Sequence, residues 1–275
     1  SISNGTFTDN AATHHGGAVA LGHVVTLLAN TSTFANNSAG WSGGAVAVLD
    51  SNSGGFLFYC TFSDNSANDH GGALATLSNN TGFFVGYSQF TGNRADANDD
   101  NYGWGGAIHL DDDSFAYLGN NTFANNSAFD GGAINVEEYG GLVLFNSSFS
   151  NNSAEYNGGA IYLADGANAS IGGSSFLGNH AGNKGGGLYG NSNISVLIGD
   201  STFANNNASI GGGIRIDDVL TNTSLEIRNT TISGNIGGGV SIGETNASAK
   251  ILNSTLANNT GAALHVESGY LSLQN

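Results

Sequence analysis

The sequence predicts an all-β protein, a single-stranded parallel β-helix of about ten coils with three short strands per coil. Three observations predict it. Two motifs recur together down the chain, their spacing is mostly 26 to 29 residues, and the apolar runs between them are short and bounded by Gly, Asn, Asp and Ser. A period in this range marks a solenoid rather than a compact globule. Runs such as "GGAVAVL", "GGFLFYC" and "GGLVLF" read as strands, and the 3.6-residue stripes of a helical solenoid are missing.

The first motif is Phe-x-x-Asn. Its apolar position is held by Phe7, Phe34, Phe62, Phe90, Phe123, Phe149, Phe176 and Phe203, then by Ile232 and Leu256. Asn follows three residues later every time, from Asn10 and Asn37 to Asn235 and Asn259. Coils stack about 4.8 Å apart, so each large apolar side chain rests on its own equivalent. Asn at one register passes hydrogen bonds from amide to amide up a turn that burial would leave unpaired. The second motif, Gly-Gly before an aliphatic residue, sets Val19, Val46, Leu74, Ile108, Ile134, Ile161, Leu188, Ile214, Val240 and Leu264 in a second column. Its glycines allow a tight corner with backbone angles closed to other residues. Pro is absent, as expected where strand N–H groups bond the neighbouring coil.

Together, "FANNSAGWSGGAV", "FSDNSANDHGGAL", "FANNSAFDGGAI" and "FSNNSAEYNGGAI" resemble the repeats of chlamydial polymorphic outer-membrane proteins and related autotransporter passengers. The resemblance covers essentially the whole chain, with the last motifs drifting to "ISGN" and "GGGV". It implies a right-handed β-helix displayed outside the cell and used in adhesion.

No linker interrupts the repeats, so residues 1–275 read as a single β-helix domain, a rod of roughly 48 Å. One copy carries an insertion at about 94–104, "RADANDDNYGW", and the last two copies are shorter, predicting narrower coils over about 232–275. The sequence enters and leaves mid-repeat, with "SISNGTF" and "LHVESGYLSLQN". An uncapped coil exposes its hydrogen-bonding edge, which predicts either a longer rod or head-to-tail stacking into a filament.

The charge excludes some partners. With 21 acids against 5 bases the formal charge is -16, so nucleic acid and anionic membrane surfaces are repelled and cations are favoured. Cys60 is the single cysteine, so no intrachain disulfide forms, and its strand position predicts a small buried hydrophobe. No run of 18 apolar residues occurs, so no transmembrane segment is expected in these residues.

Asn-x-Ser/Thr occurs at Asn4, Asn30, Asn36, Asn79, Asn120, Asn125, Asn146, Asn151, Asn168, Asn193, Asn207, Asn222, Asn229, Asn246, Asn253 and Asn258. Asn4, Asn120, Asn146, Asn229 and Asn253 lie three before the core apolar residue, where strand alternation turns a side chain outward. Asn36, Asn125, Asn151 and Asn258 lie two after it, in the turn. Outward columns suit N-linked glycans on a secreted, extracellular chain. The plainer alternative is that turn-forming Asn, Ser and Thr generate such triplets by repetition.

Catalysis is not expected. A glycosidase needs two carboxyls at a set separation, and a lyase needs clustered Asp holding calcium beside a base. The five bases are scattered, and the one weighed for a site is Arg215, with two acids close after it, Asp217 and Asp218. Acids recur four residues after the second aliphatic at Asp50, Asp112, Glu138, Asp165, Asp218 and Glu244. Stacked like charges repel by roughly 1 kcal/mol even in water, so they splay into solvent or share a cation. Calcium is the one cofactor candidate: Asp96, Asn98 and Asp100 have the spacing that opens a calcium loop, although Asn101 and Ala107 replace its Gly and Glu.

Beside the second aliphatic, one strand face reads Ala20, Ala47, Ala75, His109, Asn135, Tyr162, Tyr189, Arg215, Ser241 and His265. Facing outward, Tyr162, Tyr189 and Arg215 would offer a sugar-stacking platform, and the three alanines a strip for docking another rod. His14, His15 and His70 precede Gly-Gly corners and belong to turns. The first functional reading is an extracellular, N-glycosylated structural solenoid that self-assembles end to end. An adhesin segment binding a receptor or glycan is the second, and a polysaccharide lyase or glycoside hydrolase the third.

Overall fold

The computed structural model describes all residues except 52, 78, 80, 97–101, 218–222, 244–246 and 275. Every described element is a strand, and every pairing is parallel between one coil and the next. Three long sheets run the length of the rod, with eleven, ten and ten strands among the described residues. One coil shows the plan: Phe115–Gly119 in the first sheet, Thr122–Ala124 in the second and Ile134–Val136 in the third. A difference from expectation is a short fourth side, the two-residue strands Ser38–Ala39, Ser66–Ala67, Ser127–Ala128 and Ser153–Ala154 among them. Their alanines are buried.

Like rests on like. Phe34, Phe62, Phe90, Phe123, Phe149, Phe176 and Phe203 are fully buried, and their rings stack 4.3–4.9 Å apart within 8° of parallel. The Asn ladder forms as the sequence requires. Asn93 Nδ2 and its backbone N–H both donate to Asn126 Oδ1 at 3.0 Å, while Asn93 Nδ2 also donates to Phe62 O in the preceding coil. The same arrangement continues through Asn152, Asn179 and Asn206 to Asn235 and Asn259. Cys60 is buried, and burial pushes its thiol pKa up.

Four corners close each coil, and three of them use the left-handed backbone. The first Gly of the Gly-Gly pair that precedes a second-column aliphatic residue has positive φ, as at Gly131 (φ 65), where an added Cβ would lie 2.5 Å from Ile134 O. The positions three before and two after the core Phe are left-handed as well, illustrated by Asn120 (φ 57) and Asn125 (φ 56). Asn, Asp and Gly tolerate that region best, which explains why they crowd these positions. Thus the residue three before Phe is outward because it is a corner, not because strand alternation puts it there.

Candidate functional site

The third sheet carries the largest departure from the sequence reading. Its outward face is covered rather than open: Ala47 and Ala75 are completely buried, and His109, Asn135, Arg215 and Ser241 nearly so. Each strand there has three residues, so side chains from the corners on both sides reach over it. One wall is the residue before Gly-Gly, a column running His15, Ser42, His70, Trp104 and Asp130. The other is the turn three residues after the aliphatic, including Asp111, Glu137 and Asp217. The alanine strip therefore cannot serve as a docking face at Ala47 and Ala75.

Toward the N-terminal half the walls part into a groove of about 760 Å³, lined by aromatic and acidic side chains. His70 stacks on Trp104, rings 4.6 Å apart and 2° from parallel, and on His109 at 4.6 Å. Tyr102 lies 4.8 Å from Trp104, and Trp41 meets His14 and His15 edge-on. Burial pushes His70 down to about 4, and His109 well below the usual imidazole range. Burial also raises Glu137 to about 7, with Asp112, Asp111 and Glu138 adding repulsion against a hydrogen bond from Asn135 Nδ2. Asp130 is raised to about 6 by burial, although its Oδ1 accepts the Asn157 backbone N–H at 2.6 Å.

Further along the same floor, the three expected ligand-binding residues do come together. Tyr162 pairs in register with Tyr189, and Tyr189 with Arg215. Their arrangement is not an open platform: the two rings are tilted by 37°, and Tyr189 and Arg215 are buried. Asp217 organises the group, accepting from Lys184 Nζ at 2.7 Å, Arg215 Nε at 2.6 Å and Tyr189 Oη at 3.0 Å. Burial alone would raise the Asp217 pKa, but Lys184 and Arg215 hold it below the usual carboxylate range. Arg215 also donates to Ser241 Oγ at 2.6 Å and approaches Glu267 at 3.3 Å. Among the described residues, the guanidinium is thus engaged by Asp217, Ser241 and Glu267.

Of the calcium-loop residues, Asn98 and Asp100 lie outside the described residues. Asp96 is buried, and its carbonyl accepts from Arg94 at 3.0 Å. Among the described residues no group of three or more His, Cys, Asp or Glu side chains could hold a metal ion. In the recurring acid column, Asp50 Oδ2 accepts the His23 N–H at 2.8 Å and Asp165 Oδ1 the Ser192 N–H at 3.1 Å. Asp112 and Glu138 stand at the groove rim, whereas Asp218 and Glu244 lie outside the described residues.

The sequons divide cleanly from the ladder. Asn4, Asn30, Asn36, Asn79, Asn125, Asn146, Asn151, Asn168, Asn193, Asn229, Asn253 and Asn258 are exposed, and Asn120 and Asn207 half-buried. Asn222 and Asn246 fall outside the described residues.

A second surface escaped the sequence reading. On the outer face of the first sheet Leu28, Phe56, Phe84 and Tyr117 stand in one register column. Phe56 stacks on Phe84 at 4.8 Å and Phe84 on Tyr117 at 4.9 Å, and Leu28, Phe56 and Tyr117 are each at least 40% exposed. The signal was present in "GGFLFYC" and "GFFVGYS", where apolar residues occupy both faces of the strand instead of alternating with polar ones.

Comparison with known proteins agrees with this architecture. A family model described as the Chlamydia polymorphic membrane protein repeat matches residues 59–77 and 87–111, the coils that carry His70, Trp104 and His109. No curated protein and no solved structure matches the chain. Among the described residues no helix is long and apolar enough to cross a membrane. A family model described as the right handed beta helix region matches residues 106–273. On that match, the chain belongs to the right-handed β-helix family.

Proposed function

We propose that this chain is a surface-displayed, non-catalytic β-solenoid that works by contact, as an adhesive or structural rod outside the cell. The observation that carries the reading is the exposed column of stacked rings on the first sheet. Contiguous apolar surface on a soluble face marks an interaction site, and aromatic side chains supply large contact area at low cost in rotamer freedom. The polymorphic membrane protein repeats support display at a surface. The exposed sequons support N-linked glycans on the remaining faces, where a chain with 9% charged residues gains solubility from them. The pairing of Arg215 with Asp217 and Glu267 supports a structural role for that base rather than a catalytic one.

Cells displaying the chain are expected to adhere to cell monolayers. A triple variant, Phe56→Ser, Phe84→Ser and Tyr117→Ser, is expected to lose at least tenfold of that adherence while keeping its circular dichroism. Display without any gain in adherence would sink the reading, as would loss of pectate or alginate viscosity on addition of purified protein. Peptide N-glycosidase treatment of chain secreted from a eukaryotic host tests the glycans by intact mass.

Head-to-tail assembly is the second reading. Each coil offers the next the same backbone edge and the same Asn donors and acceptors, so an uncovered coil of one copy can continue that of another. Rods that lengthen with concentration in electron micrographs support it, and a monomer at all concentrations counts against it.

A further inference from the structure

The groove on the third sheet has a chemistry of its own, separate from the exposed aromatic column. Five carboxyl side chains line it, Asp69, Asp111, Asp112, Glu137 and Glu138, and neither Lys nor Arg does. Trp41 and Tyr102, about half exposed, line it at two separate places. Its lining residues run from His15 to Glu138, across five coils, a length of roughly 20 Å. On the wall, the buried His15 Nδ1 has no hydrogen-bond partner among the described residues.

We infer that this groove binds an extended basic segment of a partner polypeptide, seating lysine or arginine side chains against Trp41 and Tyr102 with their charge facing Asp111, Asp112 and Glu138. A cation over an aromatic face is attracted by the ring quadrupole, more strongly where water is displaced, and the acidic rim supplies steering and complementarity. A second copy of this chain is the wrong partner, because it carries 5 bases against 21 acids and repels. A neutral glycan would use the rings but leave the carboxylates without a counter-charge. The length of the groove suits a chain several residues long better than one ammonium group.

Both tryptophans of the chain, Trp41 and Trp104, line the groove, so intrinsic Trp fluorescence reports on it alone. Titration with hexalysine at low salt is expected to give a saturable change in emission that 1 M salt abolishes. The double variant Asp112→Asn with Glu138→Gln, both at the rim, is expected to weaken it at least tenfold. Asp9→Asn with Asp64→Asn, two exposed acids on a different corner, is expected to leave it unchanged and so separates the groove from general charge. Cellohexaose is expected to give no change, and spermine a response at least tenfold weaker than hexalysine. The inference is overturned if hexalysine gives no change, if the rim variant binds as the parent does, if the distant variant weakens binding equally, or if cellohexaose or spermine matches hexalysine.

Discussion

Asn125 and Asn126 are neighbours with opposite roles, and replacing each with Ala tests the ladder. Asn126 is fully buried. Its Oδ1 accepts from the Asn93 backbone N–H and Nδ2, both at 3.0 Å, and its Nδ2 donates to Phe90 O at 3.0 Å and Asn152 Oδ1 at 2.9 Å. In Asn126→Ala the Asn93 N–H loses its side-chain acceptor, while Asn93 Nδ2 keeps Phe62 O. One orphaned buried N–H costs about 1–3 kcal/mol, and the other lost bonds about 1 kcal/mol each before partial recovery, so the total is about 3–5 kcal/mol. Asn125 is exposed and left-handed; Ala there costs about 1 kcal/mol, for backbone conformation alone. Urea unfolding followed by circular dichroism compares the two, and amide exchange at Asn93 gives a local readout where a repeat array departs from two-state behaviour. If Asn126→Ala falls within about 1 kcal/mol of Asn125→Ala, or the Asn93 amide stays as protected as before, the ladder is not what holds this turn.

Two further substitutions and a pH profile follow from the same structure. Gly131→Ala forces a Cβ to 2.5 Å from Ile134 O at φ 65 and is expected to prevent native folding, whereas at Gly172 nothing lies within 4 Å, and Ala there should add about 0.5–1 kcal/mol of stability in urea unfolding. Glu137, raised to about 7 from 4.5, binds its proton more tightly folded than unfolded, so its contribution is fully present below pH 4.5 and lost as pH rises through 7. That difference is at most about 3 kcal/mol, and Glu137→Gln should gain by that order relative to the parent between pH 5 and pH 8 in chemical denaturation. An unchanged difference between parent and variant across that range would contradict the burial assigned to this carboxyl.

The internal columns were legible because each depends on one residue type at one register. Phe90 and Phe123 are 33 residues apart rather than 26 to 29, yet they stack at 4.8 Å, since an inserted loop leaves the register of the strands untouched. The covered third sheet was not legible. Whether Tyr189 or Arg215 faces water depends on Lys184 and Asp217 reaching over a three-residue strand, and strand alternation carries no trace of that. The groove was hidden for a related reason: Trp104 is the last residue of the inserted stretch, and only counting back from Gly-Gly aligns it with His15, Ser42 and His70. Strand alternation alone makes the asparagines three before the core residue outward strand residues, because φ is not visible in a sequence. Their chemistry, shared with Asp200 and Gly173 at the same corner, is the clue.

The claim on which the rest depends is that each coil adds one equal step along the axis. Spin labels on the exposed corner column measure it directly, in a Cys60→Ser background. Asn36 and Asn151 are four steps apart and Asn36 and Asn258 eight, so electron–electron resonance should return distances of about 19 Å and about 38 Å, the second twice the first. Two similar distances, or a broad distribution for either pair, would contradict the coiled rod.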